Sequence, residues 1–331
     1  MNPVRFPWID HLKALGIFLV VAGHCGLSNE QHRWIYAFHM PLFFMISGFL
    51  LTPGSLDVST RAFFTRRIWK LIKLYVWFGL LGAAVYCYVF RHDHSFAENV
   101  AGRLWSLVYG SASEHTPRDL YPMALWFFPG LISGLLITFA VWQIRVPWGR
   151  LAVLTAVVVA GFQMTDRALP WELESGCLAA GFLALGHGAR IADWNGFLRW
   201  AERRRSLAIA TVSLLLGSWL AVLNVNGLDL GMARIGNPLL AIPACGLLLL
   251  SVTILAVNLP AWKISEAVAA ATILIFPTHQ LLFPYVDRVA AKLRVPDAGL
   301  VGSPWWYDWT KACMIVAATT VLHQVYLRAK K

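Results

Sequence analysis

Apolar runs of roughly twenty residues recur from one end of this chain to the other, and that recurrence restricts the fold more than any other feature. In lipid the backbone must satisfy its own hydrogen bonds, which leaves only α-helices or closed barrels. The runs here are continuous and rich in Leu, Ala and Val. A barrel strand would alternate with period two, so the pattern argues against a barrel. Charged residues make up only 14% of the chain, against about 25% in soluble domains. The expected fold is an all-α polytopic membrane protein of one integral membrane domain, residues 1–331, with no soluble domain.

The apolar pattern predicts about ten transmembrane helices, at 8–26, 34–52, 71–90, 123–142, 149–165, 173–189, 205–223, 238–258, 266–286 and 308–327. An even number places both termini on one side. With the termini cytoplasmic, the inner loops and tails hold seventeen of the 28 Lys and Arg residues and the outer loops nine. The positive-inside rule therefore predicts cytoplasmic termini in the cell inner (plasma) membrane. The net charge of +11 reads as topology. No aromatic-interleaved basic platform points to nucleic acid. The first apolar segment carries a cation and no small-residue cleavage site, and reads as a retained helix. The span interiors offer almost no carboxylates.

Against that background the polar residues within the spans stand out. In WIDHLKALGIFLVVAGH, Lys13 and His24 are eleven residues apart, about three helical turns, so both fall on nearly one face about 16 Å apart along the axis. Ionisable groups in such segments face a protein interior or a wet cavity and are functional candidates. Asp10 lies one turn before Lys13 and has two readings: a partner for Lys13 or an arginine, or an acid at a helix N-terminus. His39 and His279 fall, like His24, in the outer half of their spans. They are either cavity residues or polar links between helices. Three histidines could bind zinc, but no two are a turn apart and no carboxylate motif accompanies them, so no metal is expected. The five cysteines show no CxxC spacing.

Arg66, Lys70 and Lys73 share one face of the third span, with Arg67 beside them. That is either an anion site at the inner mouth or a topology signal bound to lipid headgroups. LYPMALWFFPG, with Trp126, lines an outer cavity or an interfacial belt. NGLDLGMARIGNPLL carries Asp229, Arg234 and Asn237, which could touch a polar acceptor. The outer loop 91–122 carries His92, Asp93, His94, Glu98, Arg103, Glu114, His115, Arg118 and Asp119.

In IDHLKALGIFLVVAGH, FHMPLFFMISGFL, RRIWKLIKLY, LWFFPGLISG, GNPLL and ILIFPTHQLLF the chain resembles the acyltransferase-3 family of integral membrane acyltransferases, in its fucose 4-O-acetylase-like branch. The family pattern of a basic residue, ten residues and histidine matches Lys13 and His24. Lysine stands where many members have arginine, and loses the bidentate fork. The pattern arginine, two residues, arginine is matched in part by Arg67 and Lys70, with lysine in place of the second arginine.

The resemblance implies transfer of an acetyl group from cytoplasmic acetyl-CoA to a sugar hydroxyl of a cell-surface or lipid-linked glycan. It assigns the acyl-CoA phosphates to Arg66, Arg67, Lys70 and Lys73, and guidance of the donor to Lys13 and Asp10. His24 becomes a general base or an acylated nucleophile. His39, His279, Trp126 and Asn237 fall to the acceptor. A transporter or flippase of a glycan or small polar solute shares the spans and buried polar residues. It would also be expected to show paired broken helices and a buried acidic relay.

Overall fold

The structure, a computed structural model, describes residues 5–89, 96–111, 123–164, 167, 169–192, 194–295, 299 and 303–330. The chain runs through α1 (Pro7–Gly23), α2 (Asn29–Tyr36), α3 (His39–Phe49), α4 (Thr60–Phe63) and a π-helical stretch, Phe64–Ile68, into α5 (Trp69–Val89). There follow α6 (Phe96–Tyr109), a 3₁₀ turn (Met123–Trp126), α7 (Phe127–Trp142), α8 (Pro147–Gln163), a second 3₁₀ turn (Pro170–Glu172) and α9 (Leu173–Ile191). The remainder is α10 (Trp194–Ala201), α11 (Arg204–Leu223), α12 (Pro238–Asn258), α13 (Lys263–Lys292) and α14 (Trp305–Ala329). Among the described residues there is no strand, only an isolated antiparallel bridge between Asp229 and Arg234.

Among the described residues six helical stretches are long and apolar enough to cross a bilayer: Thr60–Tyr88, Ala124–Trp142, Arg204–Leu223, Pro238–Asn258, Lys263–Lys292 and Trp305–Ala329. Large apolar side chains on them remain uncovered by protein, among them Trp77 at 75% and Leu215 at 66% exposure, as lipid-facing helices require. The other expected spans coincide with helices that are shorter or more polar. α1 and α8 have 17 residues each, and α9 carries Glu174 and His187. The expected span 34–52 is broken. Ser28 and Gln31 form a capping box that starts α2 early, and residues 37 and 38 are a turn before α3, which has only 11 residues.

Two compact units emerge. One comprises Met1–Phe43, Trp194–Leu228 and Gly236–Lys331; the other comprises Phe44–Asp193 and Asp229–Ile235. In the first, α1 packs on α12, α13 and α14, and α11 pairs with α12. Leu12, Ile17 and Val21 of α1 are fully buried, so most of this helix packs against protein while Leu15 remains exposed. The second unit is organised around α9, which packs on α7 and α8.

Small residues set the close crossings of the second unit. A Cβ on Gly48 would lie 2.0 Å from the Leu183 carbonyl oxygen, and one on Gly186 would lie 2.0 Å from the Met45 carbonyl oxygen. The end of α3 and the middle of α9 therefore meet backbone to backbone. Neither carbonyl can swing aside without breaking helical hydrogen bonds. Gly48→Ala is expected to destabilise the protein by about 3 kcal/mol, the upper end of the usual overpacking cost. A thermal melt of the detergent-solubilised protein checks this, and Gly188→Ala, where a Cβ meets open space, supplies the control.

Candidate active site

The first unit brings two of the expected histidines together. His24 is the residue on which α1 ends, with φ −95° and ψ 0°, in the sparsely used bridge region of backbone space. Its ring lies 5.2 Å from that of His279, centroid to centroid. His279 is fully buried on α13. Its Nδ1 lies 2.7 Å from the Phe276 carbonyl and 3.1 Å from the Ile275 carbonyl. Carbonyls only accept, so Nδ1 carries the proton and Nε2 of the neutral ring is an acceptor. That Nε2 is buried and has no hydrogen-bond partner among the described residues. A buried acceptor left open beside a second imidazole suits a substrate hydroxyl, because leaving it permanently unmet costs stability.

His39, also buried, has the same tautomeric logic. Its Nδ1 donates to the Ile35 carbonyl at 2.9 Å, and its ring meets Tyr36 edge-on at 4.7 Å. Tyr36 stacks in turn on His32 at 3.7 Å. Burial holds His32, outside the spans, below its ordinary pKa. Gly23 is the reason this array can approach the end of α1, since a Cβ there would come within 3.0 Å of the Tyr36 ring.

Asp10 takes the arginine of its two expected partners. Arg5 Nε donates to it at 2.7 Å, and the same guanidinium pairs with Glu266 on α13. The Asp10 and Glu266 carboxylates raise the pKa of Arg5. Lys13, half-buried, makes no salt bridge among the described residues. Asn237 is exposed and caps α12, accepting from the Leu239 N–H at 3.0 Å.

The second unit holds the basic residues. Arg66 and Arg67 lie in the π-helical stretch Phe64–Ile68, a local widening common at functional positions. With Lys70, Ser47, Leu50, Leu51, Leu71, Leu131 and Leu135 they line a cavity of about 600 Å³. Among the described residues none of these three cations makes a salt bridge, so their charge is available to an anionic ligand. Lys73 is exposed and does not line the cavity. Trp126 is only 8% exposed. Its ring packs near Phe44 and lies over Gly231, where a Cβ would approach within 2.8 Å.

Several groups escaped sequence reasoning. Ser47 lines the basic cavity, and nothing in its residue type signals that. The span interiors were expected to hold almost no carboxylates; the acids that the structure buries, Glu172, Glu174 and Asp308, lie at or just outside the ends of those spans, and their burial was not foreseen. All three sit at helix N-termini, where acids oppose the helix dipole. The residues of loop 91–122 from His92 to His94 and from Glu114 to Asp119 lie outside the described residues. Among the described residues no three His, Cys, Asp or Glu side chains group as metal ligands do.

Comparison with known proteins agrees with the resemblance in the sequence. The acyltransferase-3 family, described as an acyltransferase domain, matches residues 6–324. The nodulation protein NolL of Sinorhizobium fredii (strain NBRC 101917 / NGR234) is 29% identical over 175 residues, covering 49% of this chain and 43% of its own length. The aligned region is thus less than half of that relative. No solved structure matches the chain. A family match over nearly the whole sequence, on a helical scaffold whose described residues include six stretches long and apolar enough to cross a membrane, leads to one conclusion: this chain belongs to the acyltransferase-3 family.

Proposed function

We propose that this enzyme moves an acetyl group from cytoplasmic acetyl-CoA to a sugar hydroxyl of a cell-surface or lipid-linked glycan, in the plasma membrane with both termini cytoplasmic. The observation that carries the reading is the His24–His279 pair with its open, buried Nε2 acceptor. The basic cavity of the second unit supports it on the donor side. Guanidinium and ammonium groups without carboxylate partners suit the phosphates of a nucleotide carrier, and an apolar wall of leucines suits its thioester arm.

In this reading His24 is the general base. It takes the proton of the acceptor hydroxyl as that oxygen attacks the thioester carbonyl. The carbon–sulfur bond then breaks, coenzyme A leaves as thiolate, and the proton returns from the imidazole to solvent or sulfur. His279 accepts a hydrogen bond from the acceptor sugar through Nε2, and His39 borders the same acceptor. Lys13 and Asp10 guide the donor.

A direct transfer predicts no covalent acetyl-enzyme. Purified protein incubated with [14C]acetyl-CoA and no acceptor is expected to remain unlabelled, while a glycan acceptor becomes labelled. Radioactivity on the His24 peptide would replace the base with a nucleophile. Transport of the glycan across vesicles without acetyl-CoA, and with no acetylation, would favour a flippase instead.

A further inference from the structure

We propose that Asp308 and Lys311, one turn apart on α14, are positioning residues that hold the two imidazoles in register. The proposal rests on the reading of His24 and His279 given above. Neither α14 residue touches either ring. Each grips the element that carries one of them.

Asp308 holds the His24 side. Its carboxylate is 1% exposed. Oδ1 accepts the Gly26 backbone N–H at 3.1 Å, and both carboxylate oxygens lie 2.9 Å from the Ser303 hydroxyl. Gly26 is two residues beyond His24, in a turn where α1 has ended. The His24 N–H reaches the Val21 carbonyl at 3.3 Å and the Cys25 N–H reaches the Ala22 carbonyl at 2.9 Å. Past that point the Gly26 N–H finds its acceptor on α14.

Lys311 holds the His279 side. It is 3% exposed, and its Nζ lies 2.8 and 2.9 Å from the two oxygens of Asp287 on α13. Tyr307 donates to the same carboxylate at 2.6 Å. Gly299, at φ +81°, backs directly onto it, where a Cβ would come within 2.6 Å. The same ammonium sits 4.4 Å from the centroid of Phe283, whose ring lies 5.7 Å from that of His279.

One helix thus carries two polar clamps, each anchored on a buried α14 side chain, one to the turn bearing His24 and one to a half-buried carboxylate on the helix bearing His279. A buried ion pair is a poor device for stability alone, because apolar side chains of similar volume do as well or better. It is a good device for register, since a shifted helix leaves both charges unpaired. Displacements of about 1 Å at a reacting pair cost on the order of 10²-fold in rate.

The test uses the full-length protein in nanodiscs with acetyl-CoA and a glycan acceptor. Asp308→Ala is expected to lower kcat by about 30-fold, within the range that misplacement produces, with the KM for acetyl-CoA unchanged. Asp308→Asn should recover most of that loss, because its amide oxygen still accepts from Gly26. A second readout does not depend on chemistry at His24. Cys25 is buried, with its Sγ 3.4 Å from the Val21 carbonyl. Its alkylation by N-ethylmaleimide, followed by peptide mass spectrometry, should be slow in the wild type and in Asp308→Asn and fast in Asp308→Ala.

If Asp308→Ala fails to fold, the double variant Asp287→Asn/Lys311→Met serves. It removes both charges, retains the Tyr307 hydrogen bond, and should lower kcat while leaving Cys25 protected. Wild-type kcat in these variants, or equal loss in Asp308→Ala and Asp308→Asn with Cys25 protected in both, overturns the proposal. Full activity of His24→Ala would instead remove the catalytic reading, and the Cys25 protection pattern would still report on the clamp.

Discussion

Replacing His24 by alanine is expected to lower acetyl transfer by about 10²- to 10⁴-fold, the range that a positioned general acid–base contributes. The protein should fold and insert as the wild type does. His24 caps the C-terminal end of α1, is half-buried beside the His279 ring, and its side chain makes no hydrogen bond to protein among the described residues. Its loss opens no large void in the core. His279→Ala should cost less in kcat and more in the KM for the acceptor, because the proposed task of its Nε2 is to hold the acceptor. Steady-state kinetics with purified protein, alongside size-exclusion profiles in detergent, measures both. Wild-type turnover in a well-folded His24→Ala protein would refute the assignment.

The second large effect is expected at the donor. Arg67→Ala combined with Lys70→Ala should raise the KM for acetyl-CoA by at least about 10-fold. Each lost charge-assisted hydrogen bond is worth about 1.5–3 kcal/mol, reduced here by the exposure of Lys70. The KM for the acceptor should stay constant. Acetyl-pantetheine, which lacks the nucleotide phosphates, separates this reading from topology. The wild type should prefer acetyl-CoA strongly, and the variant should lose that preference. Lys73→Ala serves as a control, since Lys73 does not line the cavity. An unchanged preference in the double variant would reduce the cluster to an orientation signal.

How much was legible beforehand differs from residue to residue. The Lys13 to His24 spacing pointed to one helical stripe, and α1 does run from Pro7 to Gly23 with His24 at its end. What spacing does not reveal is that Asp10 belongs to Arg5 and that Lys13 makes no salt bridge among the described residues. The basic run at 66–73 was visible as a face. The π-helical stretch at Phe64–Ile68, which changes the register of that face, was not. The break at residues 37 and 38 was missed because the apolar run continues through it, while the capping box at Ser28 depends on short-range hydrogen bonds that hydropathy ignores. Nothing in its residue type or spacing marks Asp308 in the sequence. Only its contact with Gly26 sets it apart.

By itself the sequence determined that this chain is helical and lipid-embedded, and which residues are costly enough in such surroundings to draw attention. Those properties follow from composition and local periodicity, which act within one helix. Tertiary structure alone decided that His24 stands beside His279, that α14 grips the segments on which both depend, and that glycines at 48 and 186 let α3 and α9 touch. These outcomes depend on which helices pack together, and packing within lipid is selected by small residues and side-chain hydrogen bonds between helices far apart in the chain.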